Sequence, residues 1–395
     1  MKKLFVVLLS FSLLLCGCQE VPVAEEIIQP QESEQPSSEA SSEVPNHSYT
    51  QQPMLCVSVP AVYSYVMDEN DNHIFTCTHQ SMQLTLDEPE VADKIIIDFL
   101  NRVSAHDQQA NTILQQAYQD IPLEIPYGYE YLYSPTRIDQ NVLSLYGIVQ
   151  TYTGGIHPDH NSKAANYSMI TGDVLTLGSI LTDIHAIEPL YQLILQNLEQ
   201  NKSALQLIGG YEQIVYEYLV TDESYNEEWF FSSTGLCFFF PPYEIAPYAV
   251  GTVVVEIPYE SLTGIIADDF FPPESDYAQG TISVVNMSNA KINNFSQIAE
   301  VTIDENGESF LLYTDGMVYD LRVEAGTWNE NATVFTPTYT AFAARTLSPG
   351  DAVIVQAYFN DVLPTLRLIC TSGSETICVY VHQSGEDGSI YLSDQ

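Results

Sequence analysis

Residues 236–257, LCFFFPPYEIAPYAVGTVVVEI, decide the fold of the central part of this chain. The aromatic run at 236–240 and the β-branched run at 250–257 are typical of strands, and the prolines between them predict a loop. Upstream, apolar residues at helical spacing predict helices at 184–198 and 211–220. Strands and helices are mixed here without strict βαβ alternation, which predicts an α+β fold.

The sequence on either side divides into segments of different composition. Before the central part, residues 54–124 combine strand patterns with one long or broken helix near 91–117. After it, short strands separated by turns predict a small all-β domain, a sandwich or a barrel, at 276–395. We therefore predict a mixed sheet with packed helices over 54–124 and 125–272, followed by the all-β domain.

The N-terminus has the pattern of a lipoprotein export signal. Lys2 and Lys3 precede an apolar run at 4–15, and the small residue Gly17 stands directly before Cys18. The run is shorter than the ~20 residues that a permanent membrane-spanning helix needs. The pattern resembles a bacterial lipobox, which implies cleavage before the cysteine and its lipidation.

A signal peptide at 1–17 would therefore be removed, and an acidic linker at 18–53 would follow the lipid. This linker is rich in Glu, Ser, Pro and Gln and has no Lys or Arg. Such a composition buries too little apolar surface to fold, so we predict a disordered tether. We expect the mature protein at the cell membrane, on its extracytoplasmic face, anchored by lipid.

The charge of the chain narrows the choice of partners. The chain has 52 acidic and 11 basic residues, a formal net charge of −41. Nucleic acid is excluded as a partner because the chain lacks the basic residues that would neutralise phosphates. Attractive partners would be cations, basic peptides or basic proteins, although acidity that only keeps an extracellular protein soluble remains an alternative.

Five of the seven cysteines lie beyond the signal and the lipidation site: Cys56, Cys77, Cys237, Cys370 and Cys378. Cys370 and Cys378 flank a turn between two predicted strands, so we predict a cross-strand disulfide between them. A bond between Cys56 and Cys77 stays open, and Cys237 is predicted to be a core thiol. No pair has CxxC spacing, so the sequence gives no support for a zinc ribbon.

Two stretches carry a resemblance to a known family. The first is YTGGIHP at 152–158, followed by NYSMITGDVLTL at 166–177. The second runs from 237–249 to IPY at 257–259. Together they resemble the ectodomain family of RsiV-type anti-sigma factors over roughly 55–266. That family is also found in exported lipoproteins and beside peptidoglycan deacetylase domains.

The resemblance implies an exported module that binds or senses a ligand and is not an enzyme. RsiV-type members capture lysozyme, a strongly basic protein, and then release a sigma factor. The chain has neither an anti-sigma segment nor a permanent membrane helix in its sequence, so we expect only the capture role to carry over. We expect a lysozyme-like basic protein or a peptidoglycan fragment as partner, and no catalytic residue, cofactor or metal.

The first motif supplies three candidate binding residues, Gly154, Gly155 and His157. The two glycines allow the backbone a positive φ between two strands, and Pro158 restricts His157 to extended geometry. His157 and His160 are also able to bind a metal ion. Because the sequence places no third ligand beside them, we favour a structural turn over a metal site.

The second motif supplies the candidates Tyr243, Glu244 and Tyr248. Rigid amphipathic rings beside a carboxylate are typical of a binding rim. A buried loop, in which the tyrosine hydroxyls bond to the backbone, is the alternative.

Two other functions stay open. Carboxylates at 222–229, beside a tryptophan, suggest a cell-wall hydrolase that works in the cleft between the modules. An acidic solvated loop is the favoured interpretation of this run. Residues 304–308 lack the full spacing of a calcium loop. A purely structural envelope lipoprotein is the third hypothesis.

Overall fold

The structure is a computed structural model, and it describes residues 54–220, 227–273, 279–329, 331, 333–359 and 363–394. The predicted signal peptide, Cys18 and the linker lie outside these residues. The α+β class is confirmed, and the C-terminal region is rich in sheet. Among the described helices, none is both long and apolar enough to cross a membrane.

In chain order, the strands are β1 (Cys56–Ser58), β2 (Ala61–Met67), β3 (His73–Gln80), β4 (Gln83–Thr85), β5 (Tyr127–Ile138), β6 (Val142–Tyr152), β7 (Asp159–Ser168), β8 (Trp229–Phe231), β9 (Gly235–Phe240), β10 (Val253–Pro258), β11 (Ile282–Asn286), β12 (Gln297–Thr302), β13 (Glu308–Thr314), β14 (Val318–Trp328), β15 (Phe335–Leu347), β16 (Asp351–Ala357), β17 (Leu366–Ser372), β18 (Glu375–Gln383) and β19 (Ile390–Ser393). The α-helices are α1 (Pro89–Gln119), α2 (Leu177–Ile180), α3 (Ile187–Leu205) and α4 (Tyr211–Val220).

In the first part of the fold, one long helix packs on a five-stranded sheet. The sheet has the order β2-β3-β5-β6-β7, and α1 connects the parallel strands β3 and β5. The predicted helix is unbroken, and it begins with a proline, whose missing N–H costs nothing at a helix start. Ile95, Phe99 and Val103 recur every four residues on α1, so one face of the helix packs on the tyrosines of β5.

A three-stranded sheet with the order β10-β9-β8 lies next to this layer. Leu190, Ile194 and Leu198 form the buried face of α3 and belong to the same apolar cluster as Trp229, which is fully buried. Asn166 of β7 donates its side-chain N–H to the carbonyl of Trp229 at 2.8 Å. The helical hairpin α3–α4 and the aromatic strands therefore form one core, which is joined to the five-stranded sheet.

The C-terminal region contains two sheets around a common core. The first has seven strands in the order β19-β18-β17-β14-β15-β1-β4, and the second has four in the order β11-β13-β16-β12. Phe310 and Val353 of the smaller sheet share an apolar cluster with Phe342 and Leu368 of the larger one. Two packed sheets are the arrangement of a sandwich.

The larger sheet also contains two strands from the start of the chain. β1 lies between β15 and β4, with Cys56 opposite Ala344. Pro60 separates β1 from β2, because it has no N–H for a continuing ladder. Cys56 therefore belongs to the core of the two C-terminal sheets, whereas Val57 belongs to the core beneath α1.

The structure contradicts the predicted disulfide between Cys370 and Cys378, because all five cysteines of the described residues are free. In the register of β17 and β18, Cys370 is opposite Ile377 and Cys378 is opposite Ile369. Directly opposite residues share a face of a sheet and adjacent residues alternate. Cys370 therefore points into the core and Cys378 points to solvent, so their sulfurs are on opposite faces.

Candidate functional site

The two motif loops meet in space. The turn between β6 and β7 reverses at Gly154 and Gly155, whose φ values are +92° and +114°. It brings the ring of His157 onto the ring of Tyr248, with centroids 3.9 Å apart and planes 22° apart. The hydroxyl of Tyr248 donates to the carbonyl of Pro158 at 2.8 Å. The two stretches that carry the resemblance thus build one surface.

We call this surface the aromatic ledge and define it as His157, His160, Tyr243 and Tyr248. The Tyr243 and Tyr248 ring centroids are 5.5 Å apart, and those of His160 and Tyr248 are 5.9 Å apart. Tyr243 is 66% exposed and His157 is also exposed, whereas His160 and Tyr248 are half-buried. The ledge offers flat rings to solvent, which is a surface suited to a sugar face or to an apolar or cationic side chain.

Tyr243 has an unusual backbone. Its φ is +73°, in the left-handed region that bulky residues rarely adopt. Its N–H donates to the carbonyl of Ala246 at 3.0 Å, which fixes the turn. Such strain costs of order 1–3 kcal/mol and is found preferentially at functional sites. Here it displays a large aromatic ring that contributes little to the core.

Glu244 is not on the exposed ledge, although it follows Tyr243 in sequence. It is half-buried and accepts a hydrogen bond from the hydroxyl of Tyr218 on α4. Burial raises the pKa of Glu244, and the nearby charge of Lys163 opposes this rise. Its role is thus to attach the loop to α4. The exposed carboxylate beside the ledge is that of Asp159.

The surroundings of His160 favour its neutral form. Burial lowers the pKa of His160, the proximity of His157 lowers it further, and Asp159 opposes both. Nδ1 of His157 lies 3.2 Å from the carbonyl of Pro158. Among the described residues, no group of three His, Cys, Asp or Glu side chains is arranged to hold a metal ion.

The acidic run at 222–229 is described only from Glu227 onward. The carboxylate of Glu227 forms ion pairs with Nη1 of Arg102 at 2.5 Å and with Nζ of Lys163 at 3.2 Å. Burial raises the pKa of Glu228 to about 7; Lys163 opposes this shift and Glu227 adds to it. Oε2 of Glu228 is buried without a hydrogen-bond partner. This part of the run is thus a half-buried charge cluster, in contrast to the solvated loop favoured from the sequence.

A histidine that the sequence analysis missed lies against the neighbouring sheet. Nδ1 of His106 is 2.8 Å from the hydroxyl of Tyr129, and Nε2 is 3.2 Å from that of Tyr133. Its ring stacks on Tyr131 with centroids 4.6 Å apart. Burial lowers the pKa of His106 to about 4. The alternation of Tyr129, Tyr131 and Tyr133, which is typical of a strand, was the available signal, because residues two apart share a face.

The sequence analysis also did not predict a Cys–His–Asp arrangement on β3 and α1. Sγ of Cys77 lies 3.4 Å from Nε2 of His79, and Nδ1 of His79 lies 3.0 Å from Oδ1 of Asp107. The order resembles a nucleophile, a base and an orienting acid. Burial raises the pKa of the Cys77 thiol, however, and Asp107 and Glu130 raise it further. A thiol that keeps its proton is a poor nucleophile, so the arrangement does not favour catalysis.

Comparison with known families gives one match. Residues 180–260 match the family described as "Protein of unknown function (DUF3298)". The match extends from the last residue of α2 through α3 and α4 to just beyond β10, and it includes Tyr243 and Tyr248. The RsiV-type assignment is not confirmed by this match.

Two solved structures are similar to the chain. One is a DUF3298 family protein from Pseudomonas aeruginosa PAO1, 16% identical, with a TM-score of 0.40, covering 56% of this chain and 98% of that one. The other is a DUF3298 family member from Bacteroides fragilis NCTC 9343, also 16% identical with a TM-score of 0.40, covering 55% of this chain and 96% of that one. Comparison with curated proteins gives no significant match.

Proposed function

We propose that this chain, with its DUF3298 match at 180–260, is a lipid-anchored extracytoplasmic protein that captures a ligand through the aromatic ledge. The observation that carries the proposal is the meeting of the two motif loops, where His157 stacks on Tyr248. The strained backbone of Tyr243, which exposes a ring that a core would normally bury, supports the same surface.

The ligand is a basic protein of the lysozyme type or a cell-wall glycan. Exposed aromatic rings provide contact area for either partner at a small entropic cost. The net charge of −41 would accelerate the encounter with a basic protein and would favour it over acidic competitors. The anchor follows from Cys18 and from the linker after it, which would hold the ledge away from the membrane.

The test is calorimetric titration of the mature protein with a basic lysozyme at two salt concentrations. Tyr243→Asn removes the ring but keeps a residue that tolerates the left-handed backbone. We expect it to weaken binding by about tenfold or more, as for the loss of a central aromatic contact. Tyr391→Asn is the matched control, because Tyr391 is also exposed and also stacks on a histidine, His382, with centroids 5.2 Å apart.

Two results would contradict capture of a basic protein through the ledge. One is equal weakening by the Tyr243 and Tyr391 variants. The other is weak binding that disappears with salt in every variant, which would indicate attraction by net charge alone. Binding of a wall glycan, with the same dependence on Tyr243, would retain the ledge and identify the sugar as its ligand.

A second candidate function, a cell-wall hydrolase, is favoured by one observation. A carboxyl with a pKa near 7, such as that of Glu228, is able to donate a proton at neutral pH. Release of soluble fragments from peptidoglycan by the purified protein, abolished in Glu228→Gln, would support the hydrolase. Absence of any release from the wild-type protein would exclude it.

A further inference from the structure

Arginine is scarce in this acidic chain, and its few copies are not spread evenly. The sequence has five arginines, and three of them, Arg137, Arg322 and Arg345, line one cavity. The cavity lies where the end of β5 meets β14 and β15, between the five-stranded and the seven-stranded sheets. In a chain with 52 acidic residues, such a concentration of positive charge would attract an anion.

Arg137 is the most deeply buried of the three, with only 3% of its side chain exposed. Nε donates to Asp139 at 2.6 Å, and Nη1 donates to the hydroxyl of Tyr259 at 2.7 Å and to the carbonyl of Phe270 at 2.6 Å. Nη2 is buried and has no hydrogen-bond partner. An unsatisfied buried donor on a charged group costs more than 1–3 kcal/mol, so an acceptor at this atom would stabilise the fold.

The other two arginines leave the cavity with an excess of positive charge. Arg345 pairs with Asp320 at 2.6 Å and donates to the carbonyl of Pro273 at 2.9 Å. Arg322 is only loosely paired, since its Nη1 is 3.8 Å from Glu324, beyond hydrogen-bond distance. Against the three guanidinium groups, the lining contains two carboxylates, those of Asp139 and Asp320. One negative charge would therefore balance the site.

The volume of the cavity limits the size of the anion that could supply this negative charge. Its volume is about 30 Å³, whereas a single water needs roughly 10–15 Å³ on the same scale. It therefore has room for two waters or for one small anion. Guanidinium groups bind carboxylates and other oxyanions by charge-assisted hydrogen bonds, and a buried site strengthens them.

We propose that this cavity binds one small monovalent anion, a carboxylate group or a halide ion, which accepts from Nη2 of Arg137 and is held by the charges of Arg322 and Arg345. The anion fastens β5 of the five-stranded sheet to β14 and β15. The site is separate from the aromatic ledge and does not depend on its function.

The test uses sodium formate and sodium bromide as probes of the whole mature protein at constant ionic strength, with the thermal midpoint as the measurement. We expect both probes, or one of them, to raise the midpoint with saturation, since a ligand of the folded state stabilises it by mass action. Formate alone would identify a carboxylate group as the ligand, and bromide alone a halide.

Three variants make the result specific. Arg322→Gln removes a cavity charge without breaking the buried Arg137 pair, and we expect about tenfold weaker binding, ~1.4 kcal/mol. Asp320→Asn removes an opposing carboxylate at a φ of +51°, which Asn tolerates, and should tighten binding. The control is Arg367→Gln, because Arg367 contacts the same Glu324 as Arg322 but lies outside the cavity lining.

Equal effects of formate and bromide on all four proteins would reveal a general salt effect and overturn the proposal. A crystal grown with bromide gives an independent check, through anomalous scattering at Nη2 of Arg137. Waters alone in the cavity, together with no saturable stabilisation by either probe, would show that solvent satisfies this arginine.

Discussion

Glu227 and Glu228 are adjacent in the chain but have opposite surroundings. Glu227 accepts from two basic side chains, whereas Oε2 of Glu228 is buried without a partner. The first carboxylate therefore stabilises the fold as an anion. The second costs free energy whenever it ionises, and this is why its pKa is raised to about 7.

Glu228→Gln should stabilise the protein at neutral and alkaline pH, and the stabilisation should disappear as the pH falls to about 4.5. The native pKa is about 7 and the ordinary value is 4.5, so the neutral carboxyl contributes fully below pH 4.5. As the pH rises from 4.5 to 7, the unfolded chain loses this proton first and the free energy of unfolding falls. Because solvent screens part of the carboxyl, we expect a difference of roughly 1–2 kcal/mol at pH 8.

Urea unfolding of both proteins between pH 4.5 and pH 8 measures this difference. Glu227→Gln is the control, since losing two ion pairs should destabilise the fold across the neutral range, by roughly 1–2 kcal/mol. A Glu228→Gln variant that is less stable than the wild type at pH 8 would contradict the assignment of a buried, unpaired carboxyl.

The register of β17 and β18 decides which cysteines lie opposite each other. Cys378 on β18 is directly opposite Ile369 on β17, and Cys370 is on the other face. Ile369→Cys should therefore form a disulfide with Cys378 under oxidising conditions, whereas the wild type forms none between Cys370 and Cys378. Alkylation followed by mass spectrometry reads out each bond.

Ile369→Cys combined with Cys378→Ser is the control and should leave the new thiol free. A bond between Cys370 and Cys378 in the oxidised wild type would show that the two strands pair one residue out of register. That outcome would reverse the assignment of faces along both strands.

Elements with strong local patterns were predictable from the sequence. The helix expected at 211–220 is α4, Tyr211–Val220, and the aromatic strand expected at 236–240 is β9, Gly235–Phe240. In both, the periodicity of neighbouring residues is sufficient to define the element. The break at Pro60 was available in the sequence as well, because proline interrupts a central strand.

Pairings between distant residues were not predictable. The rings of His157 and Tyr248 were each candidates, but their stacking depends on how two loops are placed by β7 and β9. The inward turn of Glu244 depends on Tyr218, and the arginine cavity depends on contacts among β5, β14 and β15. Local propensity carries no information about such contacts, because it acts along the chain and not across it.

For the whole molecule, the interleaving of β1 makes the two halves interdependent. Residues 54–273 alone should be less stable than residues 18–395, because β1 loses β15, and Met54 and Leu132 lose the C-terminal core in which they are buried. We expect a loss of at least about 3 kcal/mol, the burial of one or two large apolar side chains. Urea unfolding measures the loss.

Removal of residues 18–53 alone is the control, and it should leave the unfolding midpoint unchanged. Equal stability of the fragment and the full chain would mean that the α+β region folds independently and that β1 is only accessory to it.

The position of β1 also affects the order in which the strands become protected during synthesis. A chain is synthesised from its N-terminus, so β1 emerges roughly 290 residues before Ala344, to which it pairs through Cys56. Until β15 has been synthesised, one edge of β1 stays unpaired. An unpaired strand edge is prone to aggregation and to proteolysis. The first strand made is therefore among the last to be protected. Access of a protease to β1 therefore distinguishes an unfinished chain from a complete one. A prematurely terminated chain exposes a cleavage site near its N-terminus.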